Sequence, residues 1–350
     1  MKASSKKSSK RSYFKPAIIV LLSLVAFASL FLFLLPVTKF SNSEKIIAIN
    51  SDETEKATFL NKLQKDSVIG SSAAFEKLGN VINLWSKLKP GKYKIKKNTS
   101  LISLLLQFGR KEQMKNKLVI HKLRTREQLA ELIGKNLECD AETFLKFASN
   151  NDSLKKWSVD TSTLLSIIIP DTYFFSWNAG PTDIIEKFVK ERDRYWNDER
   201  EEKAAKLGLS PLQTYILASL VEEETTIKED KPLIAGVYLN RFKTDMNLGS
   251  CPSIKFVLRD FSLRRILNEH VARAGNSPFN TYKFKGLPPG PICTPSRETL
   301  DAALSASNTE YLYFCAKANS GGRHAFSKTY EEHLENARIY QKWLDEKKIR

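Results

Sequence analysis

Residues 216–241, ILASLVEEETTIKEDKPLIAGVYLNR, put a carboxylate in the middle of an apolar helical face. With Leu217 as the zero of a wheel turning about 100° per residue, Leu220 falls at about 300°, Val221 at about 40° and Glu224 at about 340°. On the same wheel Glu222 falls at about 140°, facing away, and Glu223 at about 240°, on the flank. Ala218 and Ser219 let another element approach closely. A carboxylate on a buried face costs free energy unless it is paired or protonated. Two readings stay open on the residues alone. In one, Glu224 only closes the helix before β-branched Thr225, Thr226 and Ile227. In the other, burial raises its pKa toward neutrality, as a general acid needs if it is to protonate a poor leaving group at pH 7.

The rest of the chain narrows the setting. With 350 residues it is long enough for one or two sizeable domains. Its formal charge of +17 suits an acidic membrane surface or an anionic polymer. Nucleic acid is the weaker option, because no zinc-finger spacing, long basic helix or aromatic–basic RNA motif occurs. Residues 2–15 carry Lys2, Lys6, Lys7, Lys10, Arg11 and Lys15 and no acid, and residues 17–37 follow with no charge at all. Such a run covers roughly 30 Å as a helix, the hydrocarbon thickness. It predicts a single transmembrane helix at 17–37 behind a cytoplasmic basic tail at 1–16, with the rest outside the cytoplasmic membrane. The run continues unbroken past Ala26-Phe27-Ala28, which favours an anchor over a cleaved signal peptide. Cys139, Cys251, Cys293 and Cys315 have no metal-site spacing and read first as small buried apolar residues. No metal or cofactor is expected.

Residues 38–59 are polar and read as a linker. Leu60 to Leu88 is mostly helical in pattern, and Pro90-Gly91 makes a turn. Residues 92–95 read as a strand, 101–108 as a helix capped by Asn98-Thr99-Ser100, and 118–123 as a second strand. Thr125 caps the helix REQLAELIGKNL and Asp140 the helix AETFLKFASN. The run IIIPDTYFFSW, residues 167–177, reads as a buried strand entering a turn. Asp171 or Tyr173 could reach a ligand there. Ser210 and Pro211 then cap the helix that carries Glu224.

ILASLVEEET followed by PLIAGVYLNRF resembles the endolytic murein transglycosylases, the YceG-like family of membrane-anchored lytic transglycosylases. Further segments keep the family's order: PGKYKIKKN, IIIPDTY, LGLSP, SPFNTYKFKGLPPGPICTP and GGRHAFSKTYEEH. The resemblance implies an α+β fold: a single N-terminal transmembrane helix, a small LysM-like subdomain near the membrane at 60–140, and a mixed catalytic domain at 141–350 with a glutamate-bearing helix. It implies cleavage of the MurNAc–GlcNAc bond in nascent peptidoglycan strands without water, leaving 1,6-anhydroMurNAc ends. A peptidoglycan synthase complex is the further partner it implies.

By motif position the family's catalytic glutamate falls on Glu224. Asn240 offers a donor and an acceptor to a sugar amide, and Arg241 a fork suited to a carboxylate, unless it pairs with Glu229 or Asp230. Ser250, Asn280, Thr281 and Tyr282 are candidates for the sugar cleft, and His324 for a bond to the cleft or to a backbone carbonyl. His333 reads as structural. Gly249 and Cys251 depart from the family's usual glutamine and aspartate. That loss keeps a second reading in view, a glycan-binding scaffold with weakened catalysis.

Overall fold

The structure, a computed structural model, describes residues 19–20, 22–24, 27, 34–38, 40–110 and 113–347. The chain divides into two compact units, Met1–Lys115 with Ser176–Asn178, and Asn116–Phe175 with Ala179–Arg350.

In the first unit β1 (Glu44–Ile49) leads through α1 (Lys56–Lys65) and α2 (Ser72–Val81) to β2 (Gly91–Lys96) and α3 (Leu101–Gly109). β1 and β2 pair antiparallel with Ile47 opposite Tyr93. β1 lies inside the stretch expected to be a linker. Its Ile47 and Ile49 alternate inward, the period a half-buried strand requires. Leu101, Leu104, Leu105 and Phe108 recur at helical spacing and are all buried. Phe108 meets Phe59 and Tyr93 edge-on, with ring centroids 5.0 and 4.8 Å apart. Asn98 stands in the left-handed region at φ 60°, which asparagine tolerates better than most residues.

The second unit begins with β3 (Asn116–Val119), α4 (Arg126–Asn136), α5 (Ala141–Ala148) and α6 (Asn151–Leu154). β4 (Thr172–Phe175), α7 (Pro181–Tyr195) and α8 (Asp198–Lys206) lead to α9 (Pro211–Glu224) and α10 (Lys231–Lys243). α11 (Cys251–Leu258), α12 (Asn268–Ala274), α13 (Arg297–Leu304), the hairpin of β5 (Tyr313–Ala316) and β6 (His324–Ser327), and α14 (Tyr330–Glu346) follow. β3 pairs antiparallel with β4. The two strands expected to belong to one strand–helix–strand motif therefore sit in different sheets. The buried Ile167–Ile169 run also differs from its reading as a strand. Residues Leu164–Ile167 form a 3-10 turn, and Tyr215 Oη donates to the carbonyls of Leu165 and Ile168 at 2.9 and 2.6 Å in place of a strand partner.

α9 is the buried axis of this unit. Ser210 Oγ accepts from the Gln213 N–H at 3.2 Å, and Gln213 returns its side-chain oxygen to the Ser210 N–H at 2.8 Å, a closed capping box with Pro211 in the first turn. Every residue from Thr214 to Val221 is buried. The GLPPGPI loop passes close by: Ser219 Oγ accepts from the Ile292 N–H at 3.1 Å. A Cβ on Gly290 would lie 2.0 Å from the Ser162 carbonyl oxygen, so only glycine fits there.

Among the described residues no helix is long and apolar enough to cross a membrane. A span needs about 20 consecutive residues at 1.5 Å each. The described members of the 17–37 run, Ile19–Val20, Leu22–Leu24, Phe27 and Leu34–Val37, make no helix of that length, and its other residues lie outside the described set. The expectations of a transmembrane helix in the fold, of the cytoplasmic membrane as a partner and of a single-pass localisation are corrected on this finding. The architecture is α+β, helices with three small two-stranded sheets among the described residues.

Candidate active site

Glu224 is the last residue of α9, and Thr225 turns the chain away in an extended conformation. Its carboxyl reaches an open cleft of about 490 Å³ lined also by Arg241, Gly249, Cys251, Tyr282, Tyr313 and His333. Glu224 Oε1 accepts from Tyr238 Oη at 2.5 Å and from Ser250 Oγ at 3.0 Å. Among the described residues no hydrogen bond reaches Oε2. Burial raises the pKa of this carboxyl, and it does so against the two hydroxyl donors and the positive fields of His324 and Lys255, which pull it down. With Oε1 occupied by two donors, Oε2 is the oxygen left to hold a proton.

Ser250 is placed by a buried hydroxyl relay. Its N–H donates to Thr281 Oγ1 at 2.9 Å, Ser253 Oγ lies 2.8 Å from Thr281 Oγ1, and Ser253 donates to the Ser250 carbonyl at 2.8 Å. Thr281 is thus one layer behind the carboxyl. Asn280 is buried too, and shapes its own loop by donating to the carbonyls of Val271 and Gly275 at 3.3 and 3.1 Å. Tyr282 does line the cleft, with its hydroxyl 3.0 Å from Cys251 Sγ. Gly249 is in the left-handed region at φ 59°, a position that suits glycine where the resemblance expects glutamine. Burial raises the Cys251 thiol, so it is a neutral group at pH 7. All four cysteines are free thiols.

Arg241 also lines the cleft, but its partners are backbone carbonyls, Leu312 at 2.6 Å and Leu248 at 2.8 Å. Neither acid considered for it is the partner. Asp230 accepts from the His324 N–H at 2.7 Å and lies 2.9 Å from its Nδ1, while Glu229 faces Arg323 at 3.7 Å. Asn240 ties the approach to β5 by donating to the carbonyls of Thr309 and Tyr311 at 2.6 and 2.9 Å. The structure therefore brings Glu224, Ser250, Tyr282 and Arg241 together. It sets Asn240, Asn280, Thr281 and His324 behind them as supports. Asp171 pairs with Arg297 at 2.8 Å, and the buried Tyr173 donates to the Ile169 carbonyl at 2.6 Å.

Glu222 does not face open solvent, because α9 is buried all round from Thr214 to Val221, just before it. Its carboxylate accepts from Ser296 Oγ at 3.0 Å and from Thr299, and lies 3.9 Å from Lys231. Glu223 is gripped by Arg124 through two bonds of 2.9 and 3.0 Å and by Lys122 at 3.2 Å, which hold its pKa down against burial. Three adjacent glutamates thus have three different environments, and of them only Glu224 lines the cleft. Sequence reasoning missed Tyr238, Tyr313 and the cleft-facing His333. For His333 a signal existed: Tyr330 and His333 are three residues apart on one helical face, and both line the cleft.

The profile of the YceG-like family matches residues 47–339. The chain belongs to the YceG-like family. Over 207 residues it is 35% identical to an endolytic murein transglycosylase of Bacillus subtilis (strain 168), covering 55% of this chain and 54% of that protein. Over 334 residues it is 27% identical to an endolytic murein transglycosylase of Streptococcus pneumoniae serotype 2, covering 87% of this chain and 59% of that protein. The 2.6 Å crystal structure of a yceG-like protein from Listeria monocytogenes matches with a TM-score of 0.54 at 25% identity, over 84% of this chain and 99% of that one. The chain thus spans less than two thirds of the length of the two transglycosylases.

Proposed function

We propose that this family member is an endolytic murein transglycosylase, cutting the MurNAc–GlcNAc bond of peptidoglycan glycan strands with Glu224 as acid and then base. The observation that carries the reading is the Glu224 carboxyl itself, which lines the cleft, has Oε1 held by Tyr238 and Ser250, and has its pKa raised by burial. Among the described residues that line the cleft, Glu224 is the one carboxylate. Glycoside hydrolysis generally uses two, about 5–5.5 Å apart for retention and about 6.5–9.5 Å for inversion. One suffices here. Protonated Glu224 gives its proton to the glycosidic oxygen as the C1–O bond breaks, and GlcNAc leaves with a free hydroxyl. The carboxylate then takes the proton of the muramoyl C6 hydroxyl as O6 bonds to C1, and Glu224 returns to its starting state without water. Tyr238 and Ser250 hold the carboxyl throughout, and Arg241 and Tyr282 offer polar contacts to the sugars. Names of relatives support the reaction class.

Incubation of the full chain with uncrosslinked glycan strands, followed by mass analysis, tests this. Anhydromuramoyl ends are the expected product. Reducing ends overturn the mechanism in favour of hydrolysis, and binding without new ends overturns it in favour of a scaffold.

A further inference from the structure

A second cavity, of about 230 Å³, lies in the same unit and has no part in the proton transfers. Arg124, Arg126 and Arg259 line it together with the rings of Phe256 and Phe279 and with Ser162. Arg124 is committed to Glu223. Arg126 is not so fixed. Its Nε forms an ion pair with the Glu127 carboxylate at 3.3 Å, a carboxylate whose pKa, against burial, Arg259 and Arg126 both pull down, but among the described residues this buried Nε makes no hydrogen bond. A buried donor left unmade is costly, and a ligand that accepts from it recovers that cost. Arg259 is a non-glycine residue in the left-handed region, φ 54° and ψ 25°, with its guanidinium 5.0 Å from the Phe256 ring centroid. That conformation caps the C-terminus of α11, its N–H bonding back to the Lys255 and Phe256 carbonyls, and so fixes where the Arg259 side chain leaves the helix.

Two elements join this cavity to the Glu224 cleft. Cys251, at the start of α11, lines the cleft, whereas Phe256 and Arg259, at its end, line the second cavity. At 1.5 Å per residue these ends are about 12 Å apart. In the loop after α12, Tyr282 lines the cleft and Phe279 the cavity. A group hanging from the strand a sugar or two from the cut bond would reach it. Planar forks between aromatic walls match a carboxylate.

We propose that the Arg126–Arg259 cavity binds a carboxylate of the peptide stem carried by the glycan strand, making the enzyme selective for stem-bearing strands. This rests on the glycan-cleaving reading, so the test separates the two. Calorimetry on the full chain compares a short acidic stem peptide with its fully amidated form, and with inorganic pyrophosphate. The acidic peptide should bind at least about tenfold tighter than the amidated one, the worth of a hydrogen bond to a charged group. Arg126→Gln and Arg259→Gln should each remove that preference, while binding of stem-free glycan strands stays unchanged. Equal binding of the two peptides, no binding of either, retention of the preference by both variants, or tighter binding of pyrophosphate each overturns the proposal. The peptide comparison on the unaltered chain needs no variant to fold. Peptide selectivity without cleavage of any strand would sink the glycan-cleaving reading and leave the carboxylate site standing.

Discussion

The interiors of the two units are built from different material. In the first, Phe59, Phe75, Tyr93 and Phe108 pack ring against ring, and among its described residues Thr38 is the one buried polar residue outside the aromatic hydroxyl. In the second, the surroundings of α9 bury Thr214, Ser219, Asp230, Lys231, Ser250, Ser253, Asn280, Thr281, Thr294 and Thr299. Buried polar groups cost stability unless bonded. These are bonded, as Thr294 Oγ1 accepts from the Leu123 N–H at 2.9 Å and the Ser250–Thr281–Ser253 relay closes on itself. An apolar interior gives stability without fixing one arrangement of polar atoms. A bonded polar interior spends stability on holding one carboxyl in place.

The largest effect should come from the apolar side. Phe108→Ala removes a ring that packs against three others, Phe59, Phe75 and Tyr93, and should cost about 3–5 kcal/mol in urea unfolding. A cost under about 1 kcal/mol would mean that the rings do not hold the first unit. Next, Glu223→Gln leaves Arg124 and Lys122 without their carboxylate and should cost about 1–3 kcal/mol at pH 7. The Glu223 carboxyl is held below its usual range, so its stabilisation is present above the unfolded value and is lost as pH falls through the folded one. The difference in melting temperature between this variant and the parent should therefore shrink as pH drops below 4.5, the ordinary value for the carboxyl. A constant difference would put the cost in packing instead.

Much of this contrast could be read in the sequence, and some could not. Ser210, Pro211 and the spacing of Leu217, Leu220 and Val221 mark α9 and put Glu224 among apolar residues. The wheel went wrong for Glu222 because it assumed that one face of the helix meets water. From Thr214 to Val221 α9 meets protein all round, and Ser296 and Thr299 answer the Glu222 carboxylate from α13 and its cap. Tyr238 was invisible for another reason. Its place beside Glu224 depends on how α10 folds back against α9, a tertiary fact that neither helix's periodicity contains. In the first unit β1 reads as linker because its flanks are polar, and its partner β2 lies over forty residues away. The apolar run at 17–37 satisfied a length rule, yet the described residues hold no spanning helix.

Two smaller effects sharpen the account of the polar side. Tyr238→Phe keeps the ring and removes one donor from Glu224 Oε1, at about 0.5–1.5 kcal/mol of stability. That donor lowers the Glu224 pKa, so without it the alkaline limb of the pH–rate profile should move to higher pH. A limb that stays put while the melting point falls would make Tyr238 a packing residue. Cys251→Ser should change least, keeping strand cleavage within about threefold. A loss of more than about 100-fold with the fold intact, about 2.7 kcal/mol of transition-state stabilisation, would reveal chemistry at the thiol.

The decisive comparison is among the three adjacent glutamates. Glu224→Gln keeps size and the acceptor for Tyr238 and Ser250 but cannot carry a proton. General acid–base catalysis is typically worth about 10²–10⁴-fold, and in the proposed mechanism one group does both steps, so formation of anhydromuramoyl ends should fall by about 10³-fold or more. The raised Glu224 pKa means that the folded state holds a proton the unfolded chain has released, a stability contribution present below pH 4.5 and lost as pH rises through the folded value. The glutamine variant should then melt higher relative to the parent at pH 7 than at pH 4. Glu222→Gln and Glu223→Gln should lose stability and keep turnover per folded molecule within about tenfold. The contradiction would be near-normal cleavage by Glu224→Gln, and above all such cleavage beside a dead Glu223→Gln, which would move the chemistry to the Arg124 side of α9.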